Sequence, residues 1–329
     1  MFRVLALVLL TSAVGFAAEP GPNDNWYLAV GHGGQRMLSR DGKNWEKHTS
    51  WGEPKHDQND LNVACNFKGT FFAGGGYSRG RLTGTRDGER WSDSLIPDSS
   101  PIFGLEIMGD TLYAIDLRGK VFKTADGERW QVVAYAEMPT KTHWIRGTAQ
   151  GNGLIVGSGD FGPAIVFDPK TEKITVTQMD GQVDKNPGPK RVAFGNGIFV
   201  VGGQGGLLAV TKDGKTWDNN KVNAERGDIK CVEFIGKEFL VTTTKGTLRS
   251  ADGLTWKPVS ETVPSQVRLV NGQLYGYGSP AKFSRSADGI KWEAMPNEKE
   301  FQAKAYAYGP LAGGLPPGGP VLEAKKAIK

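Results

Sequence analysis

The chain of 329 residues contains 46 glycines, roughly twice the usual share of about 7%, together with nine tryptophans and 38% hydrophobic residues. The glycines do not recur at every third position, which excludes collagen. Glycine inside a helix costs about 1 kcal/mol relative to alanine, which disfavours a helical bundle. The net charge is +5, and the sequence contains no long run of basic residues. Nothing therefore indicates binding to nucleic acid or to an anionic membrane. The composition predicts a turn-rich, all-β protein. The chain length fits either two domains of average size or one large β domain.

The first 18 residues have the layout of a secretory signal peptide. A short basic start is followed by an apolar run over residues 4–16, and Ala17 and Ala18 provide a small-residue cleavage site. No later segment has the length and apolarity of a transmembrane helix. We therefore expect a cleaved leader over 1–18, no membrane insertion, and a secreted or periplasmic mature protein.

One motif, [ST]-x-D-G-x-x-W, occurs six times along the chain. The copies span residues 39–45, 85–91, 124–130, 211–217, 250–256 and 286–292. The step between the third and fourth copies is twice as long as the others, which predicts a degenerate copy around Asp168. The sequence therefore contains seven units of about 40 residues each.

Each unit has the pattern of four short antiparallel strands. In residues 191–218, for example, an apolar run meets Asn196-Gly197, a hairpin signal, and two further runs lead to the aspartate motif. The motif suits a turn between the third and fourth strands, because its Asp and Ser or Thr accept backbone N–H groups and its Gly adopts positive φ. The following Trp is expected to pack between neighbouring sheets. These units predict a seven-bladed β-propeller of four-stranded antiparallel blades.

The two chain ends are predicted to close the ring together. Residues 25–45 align without a gap on 197–217, so the first unit starts at its second strand and lacks an innermost one. Residues 302–309 have the apolar alternation of a first strand, and we expect them to pair with the N-terminal blade. The propeller then spans residues 19–309, and residues 310–329, rich in Pro and Gly, are expected to form a flexible tail.

The repeat resembles the BNR/Asp-box repeat of β-propellers over about residues 25–309. That repeat occurs in sialidases, in related glycan-active proteins and in photosystem assembly factors. The common family form has one residue between Asp and Gly that is missing here. No Arg-Ile-Pro motif, arginine triad or Tyr–Glu pair matches by position. The resemblance therefore implies a non-sialidase member of this sialidase-like superfamily.

The face opposite the aspartate motifs should carry the binding residues, since it collects the loops between second and third strands and the connections between blades. Arginines there suit carboxylate or sulfate groups, and exposed aromatic rings suit sugars. This predicts a binding module or scaffold for an extracellular glycan, acidic by preference, or for a protein partner. Alternatives left open are a polar face without a ligand and, for Trp144, a structural role. The candidate ligand-binding residues are His32, Tyr77, Arg79, Asp116, Arg118, His143, Trp144, Arg146, Asp160 and Arg191.

Catalysis on the same face is the main alternative function. A polysaccharide lyase could use Arg146 to neutralise a uronate carboxylate and His143 to take the proton. A glycoside hydrolase could instead pair Asp60 with Asp116 or Asp160. No sequence spacing enforces either arrangement. The assembly-factor branch of the resemblance implies a third function, a chaperone-like protein binder.

Cofactors and cross-links leave no clear signal in the sequence. His56 would join His32 and His143 on the loop face, but no His-x-His spacing supports a metal site, and we expect no metal or cofactor. Cys65 and Cys231 are far apart, which favours two buried thiols over a disulfide. We expect a monomer.

Overall fold

A computed structural model of the chain describes residues 24–51, 59–139, 143–160, 162–179, 189–221, 223–260, 264–278, 283–296, 301–318 and 321–323. The predicted signal peptide lies outside these residues. The strands form seven sheets, each built on four antiparallel strands in sequential order apart from the closing blade, and the sheet of the third blade carries a fifth strand that is parallel to its neighbour. The innermost strand of each sheet packs against those of both neighbours in an unbroken ring. The predicted seven-bladed propeller is therefore confirmed.

The blades are numbered along the chain. Blade 1 contains β1 (Asn25–Gly31), β2 (Arg36–Ser39) and β3 (Glu46–Thr49). Blade 2 contains β4 (Leu61–Phe67), β5 (Thr70–Gly75), β6 (Arg81–Thr85) and β7 (Ser92–Leu95). Blade 3 contains β8 (Ile102–Met108), β9 (Thr111–Asp116), β10 (Lys120–Thr124) and β11 (Arg129–Tyr135). Blade 4 contains β12 (Ile145–Gly151), β13 (Leu154–Gly159), β14 (Pro163–Asp168) and β15 (Lys173–Gln178).

The remaining blades follow the same order. Blade 5 contains β16 (Pro189–Gly195), β17 (Ile198–Gly203), β18 (Leu208–Thr211) and β19 (Asp218–Lys221). Blade 6 contains β20 (Ile229–Phe234), β21 (Phe239–Thr243), β22 (Gly246–Ser250) and β23 (Lys257–Ser260). Blade 7 contains β24 (Gln266–Val270), β25 (Gln273–Tyr277), β26 (Phe283–Ser286) and β27 (Glu293–Ala294). Short 3₁₀ helices occupy His32–Gly34, Gln204–Gly206 and Ala224–Arg226, and no helix within the described ranges is long and apolar enough to cross a membrane.

The last long strand closes the ring as predicted. Strand β28 (Ala303–Pro310) pairs antiparallel with β1, with Asn25 opposite Pro310 and Leu28 opposite Ala307. It is the innermost strand of blade 1 and packs against β4 of blade 2 and β24 of blade 7. Pairing of the two chain ends within one blade leaves no open inner edge on that sheet.

The aspartate motifs form the turns between third and fourth strands, here called the aspartate turns. In the copy of blade 3, Asp126 Oδ1 accepts the amides of Glu128 and Arg129, each at 2.9 Å, and Thr124 Oγ1 accepts the Gly127 amide at 2.8 Å. Gly127 has φ of +81°, which favours glycine. The degenerate copy keeps the carboxylate, because Asp168 accepts the Lys170 amide at 2.9 Å. The motif therefore has a structural role, because its hydrogen bonds stabilise the turn between the third and fourth strands.

Apolar side chains from adjacent blades fill the spaces between the sheets. Trp130, which follows one aspartate turn, is fully buried between blades 2 and 3. At the seam between blades 7 and 1, Tyr275 and Tyr306 stack with ring centroids 4.9 Å apart, and Trp45 packs edge-on against Tyr275. Cys65 and Cys231 are free thiols.

The chain beyond residue 309 does not match the flexible tail that we predicted, over the part that the structure describes. Leu311 is 1% exposed and packs into the apolar cluster between blades 1 and 2. The amides of Ala312 and Gly313 donate to the carbonyls of Gly69 and Arg86 at 2.8 and 2.7 Å. Further on, β29 (Val321–Glu323) pairs in parallel with β11 as a fifth strand of blade 3. Backbone pairing and one buried leucine therefore hold this segment against blades 1, 2 and 3.

Candidate functional site

Two cavities contain most of the predicted site residues. The aspartate turns lie on one face of the disc, and the loops between second and third strands lie on the opposite face, here called the loop face. A cavity of about 660 Å³ on this face, the rim groove, lies across blades 2, 3 and 4. A second cavity of about 640 Å³, the axial cavity, is lined by the innermost strands of all seven blades. Volumes of this size are typical of ligand sites.

The rim groove brings together predicted residues from three different blades. It is lined by the predicted residues Tyr77, Asp116, Arg118, Trp144 and Arg146. Among the side chains of the groove that were not predicted as site residues are Phe103, Lys120 and Tyr135. Tyr77 and Tyr135 are 62% and 57% exposed, so both rings face solvent in the groove.

Arg146 is held in place by aromatic rings and by one carboxylate. Its guanidinium carbon lies 4.8 Å from the centroid of the Trp144 ring and 5.6 Å from that of Phe103. Its Nε donates to Asp160 Oδ2 at 3.0 Å. Such cation–π contacts and the ion pair fix the orientation of the guanidinium, while the side chain keeps 30% of its surface exposed. Arg146 lines both cavities.

Asp116 lies buried beneath the surface of the groove and fixes the conformation of its loops. It is 1% exposed, and its carboxylate accepts the amides of Ser100, Arg118 and Lys120 at 2.9, 2.9 and 2.8 Å, as well as the Ser100 hydroxyl. Burial raises the pKa of Asp116, and these hydrogen bonds oppose the rise. With its oxygens occupied by the backbone, Asp116 positions the loop that carries Arg118 and Lys120.

The other predicted residues line neither the rim groove nor, except for Arg191, the axial cavity. His32 Nδ1 lies 2.8 Å from Asp60 Oδ1, and Asp60 also pairs with Lys304. Arg79 is exposed on the loop that carries Tyr77. His143 is half-buried, and burial lowers its pKa, which favours the neutral imidazole. His56 lies outside the described residues.

The carboxylates proposed for hydrolysis all have partners. Asp60 pairs with His32 and Lys304, Asp160 pairs with Arg146, and Asp116 accepts backbone amides. An acid–base pair needs one carboxyl group with a raised pKa and a second one facing the substrate. Burial raises the pKa of Asp116, but the backbone amides of its own loop occupy its oxygens, while Asp60 and Asp160 are paired with cations. In the described part of the chain, no cluster of three or more His, Cys, Asp or Glu residues could hold a metal ion.

The axial cavity contains charged side chains that the sequence did not single out. Glu233 is buried and lies 3.4 Å from Arg268 (Oε2 to Nη1), and burial raises the pKa of Glu233 while Arg268 opposes the rise. Glu106 accepts the Thr148 hydroxyl at 2.7 Å. The predicted Arg191 lines the same cavity. The sequence did contain a signal for these side chains. Each is a charged residue within an innermost strand, and a strand packed only in an apolar core would not need a charged residue.

Comparisons with known proteins agree on the fold. Residues 180–305, less than half of the chain, match a family described as the DUF6242 beta propeller domain. No curated protein matches the sequence significantly.

Solved structures of other propellers are similar in shape at low sequence identity. YCF48 bound to a D1 peptide is 16% identical, with a TM-score of 0.55 over 75% of this chain and 87% of that one. YCF48 from Cyanidioschyzon merolae is 15% identical, with a TM-score of 0.54 over 74% and 83%. An inactive variant of virginiamycin B lyase from Staphylococcus aureus with quinupristin is 9% identical, with a TM-score of 0.57 over 82% and 95%. At these identities the similarity shows a shared propeller fold.

Proposed function

We propose that this protein is a binding propeller that recognises an acidic glycan in the rim groove. The observation that carries the proposal is the pair of exposed tyrosines, Tyr77 and Tyr135, in a groove that also contains Arg118, Lys120 and Arg146. Exposed aromatic rings provide flat apolar surfaces for the C–H faces of sugars. Guanidinium groups pair with carboxylate or sulfate through two parallel hydrogen bonds.

The charge balance of the groove favours an anionic ligand. Its lining includes three cationic side chains and two carboxylates, Asp98 and Asp116. Asp116 is buried beneath the surface, where its oxygens accept backbone amides. The cations Arg118, Lys120 and Arg146 are all partly exposed. Because Arg146 is already paired with Asp160, a ligand carboxylate or sulfate in the groove would meet chiefly Arg118 and Lys120.

Catalysis has less support than binding. A lyase would need a base close to Arg146, but His143 does not line the rim groove or the axial cavity. A hydrolase would need free carboxylates, and Asp60, Asp116 and Asp160 are engaged. The similarity to virginiamycin B lyase concerns the fold.

A protein partner is the second candidate. It is favoured by the similarity to YCF48, a propeller whose solved complex contains a D1 peptide. The same rim groove would accept an acidic peptide through its arginines. We also propose that the repeat is a shortened BNR/Asp-box repeat and that the protein is exported after removal of residues 1–18. The hydroxyl–Asp–Gly turn geometry supports the first proposal and the leader-like sequence supports the second.

A glycan array probed with the purified mature protein tests the main proposal. The array should include uronate-containing, sulfated, sialylated and neutral glycans, and acidic peptides should be measured alongside. We expect binding to one or more acidic glycans, and an affinity at least about tenfold lower for the Tyr77→Ala/Tyr135→Ala double variant. Leu254→Ala is the matched control, because Leu254 is 47% exposed within an aspartate turn on the opposite face.

Two results would contradict the proposal. One is binding to acidic peptides with no binding to any acidic glycan, which would favour the protein partner. The other is glycan binding that the double variant leaves unchanged, which would place the ligand outside the rim groove.

A further inference from the structure

Among the described strands, six innermost ones contain a β-bulge at their second residue. The extra residues are Asn62, Phe103, Arg146, Lys190, Lys230 and Lys304. A bulge turns its extra side chain out of the regular alternation, and bulges are frequent at rims and next to active sites. Because every innermost strand begins on the loop face, these six residues lie at one level around the axis of the disc, close to that face.

Four of the bulge residues form the mouth of the axial cavity, here called the cavity mouth. Asn62, Phe103, Arg146 and Lys304 are half-buried and line this cavity. Phe103 and Arg146 also line the rim groove. These two side chains therefore separate the two cavities, and a ligand that extends from the rim groove over them enters the cavity mouth.

Two side chains of the cavity mouth keep free hydrogen-bonding groups. Arg146 donates through its Nε to Asp160, and in the described part of the chain its two Nη atoms donate to no protein acceptor. The side-chain amide of Asn62 has no hydrogen-bond partner among the described residues either. A guanidinium has further N–H donors, and an amide both donates and accepts. Both groups are therefore available to a ligand that reaches the mouth.

The charges of the axial cavity balance one another. Three of the four cations that line it within the described ranges form ion pairs, which are Arg146 with Asp160, Arg268 with Glu233 and Lys304 with Asp60. The fourth cation, Arg191, is matched in number by the carboxylate of Glu106 in the same lining. Neutral hydroxyl groups suit such a lining, because they accept hydrogen bonds from cations and donate them to carboxylates. A further anion would gain little from it.

We propose that the ligand is a glycan with one acidic unit, which binds in the rim groove, and neutral sugar units, which bind in the cavity mouth. This inference rests on the proposed function, because it places the acidic unit beside Arg118 and Lys120 of the rim groove. The neutral units contact Phe103 and form hydrogen bonds with Arg146 and Asn62. A chain with an acid on every unit fits less well, since its further acids meet balanced charge.

Calorimetric titration of the mature protein with matched probes tests the inference. Sialyllactose, aldotetraouronic acid and lactose monosulfate each carry one acid on neutral sugars. Their isolated acidic units are N-acetylneuraminate, methylglucuronate and galactose monosulfate, and trigalacturonate carries an acid on every unit. We expect at least one of the first three to bind about tenfold more tightly than its isolated acidic unit and than trigalacturonate, because hydrogen bonds in the mouth add to those in the groove.

Variants of Asn62 locate the neutral units. Asn62→Ala is expected to lower the affinity for the conjugate about three- to tenfold and to leave the affinity for its isolated acidic unit unchanged. Asn62→Trp, which fills part of the mouth, should lower the affinity for the conjugate further. Lys215→Ala, on an aspartate turn of the opposite face, is the control and should bind both probes as the unmodified protein does.

The outcomes separate this inference from the proposed function. Conjugates that bind no more tightly than their isolated acidic units, or tightest binding of trigalacturonate, would overturn the inference and leave the rim groove as the site of the acid. Conjugate binding that both Asn62 variants leave unchanged, but that Tyr77→Ala/Tyr135→Ala lowers, would have the same meaning. No binding of any of these acidic probes would overturn the inference, and the glycan array then decides whether the proposed function stands.

Discussion

Leu311 provides a sharp test of how the chain end is attached. Its side chain is 1% exposed and packs into the cluster formed by Trp26, Leu28, Leu38 and Phe71 between blades 1 and 2. Replacing a buried leucine by alanine costs about 2–5 kcal/mol. The lower part of that range, about 2–3 kcal/mol, applies here, because a segment near the chain end can move into the space left by the side chain.

The expected change in thermal stability follows from the size of the protein. The unfolding entropy is about 2.1 cal/mol/K per residue, which gives about 0.7 kcal/mol/K for this chain of 329 residues. Leu311→Ala should therefore lower the Tm by about 3–4 °C and lower the urea midpoint in parallel.

Leu315 supplies the matched control for this experiment. It lies four positions further along the same segment and is 68% exposed, so Leu315→Ala should change the free energy of unfolding by no more than about 0.5 kcal/mol. Equal stability of the two variants would refute the buried position of Leu311 and return residues 310–329 to the flexible tail that the composition predicts.

Two further predictions concern the aspartate turns. Asp126→Ala removes the acceptor of two backbone amides and should lower the free energy of unfolding by about 1–2 kcal/mol in urea titrations, whereas Asp126→Asn, which keeps one oxygen, should cost less; equal costs would contradict the turn's role. Burial raises the pKa of Asp41, but the amides of Asn44 and Lys43 outweigh this and bring its pKa to about 2. Its contribution to stability is therefore present above about pH 4 and is lost as the pH falls towards 2. Asp41→Asn should flatten this part of the curve of stability against pH, and an unchanged acid transition would argue against the shift.

The fold was largely predictable because its determinants are local and repeated. A Thr or Ser hydroxyl, an Asp and a Gly specify each turn within four residues, and six copies make the period visible. The gap-free alignment of residues 25–45 on 197–217 then predicted which strand the first blade lacks.

The attachment of the chain end was not predictable in the same way. Leu311 is a single apolar residue within a Pro- and Gly-rich segment, and the composition of that segment indicates flexibility. The space that receives the Leu311 side chain is formed by side chains of blades 1 and 2, which lie far from Leu311 in the sequence. No local pattern carries that information.

The candidate site was predictable in part. Alternation of loops between the two faces brought Tyr77 and Trp144 to one groove, as topology requires. Tyr135 was missed because it ends β11, a fourth strand of seven residues, whereas the fourth strands of blades 1 and 2 have four. Its extra length carries Tyr135 to the loop face, and strand length is poorly defined by sequence.

Hydrogen–deuterium exchange with the most tightly bound acidic oligosaccharide of the array tests the central claim most directly. We predict that the ligand slows exchange of backbone amides in residues 76–80, 98–101, 116–120 and 144–146, which form the rim groove, and leaves the aspartate turns unchanged. Protection confined to the face of the aspartate turns, or no protection in the rim groove at saturating ligand, would contradict glycan recognition by this groove.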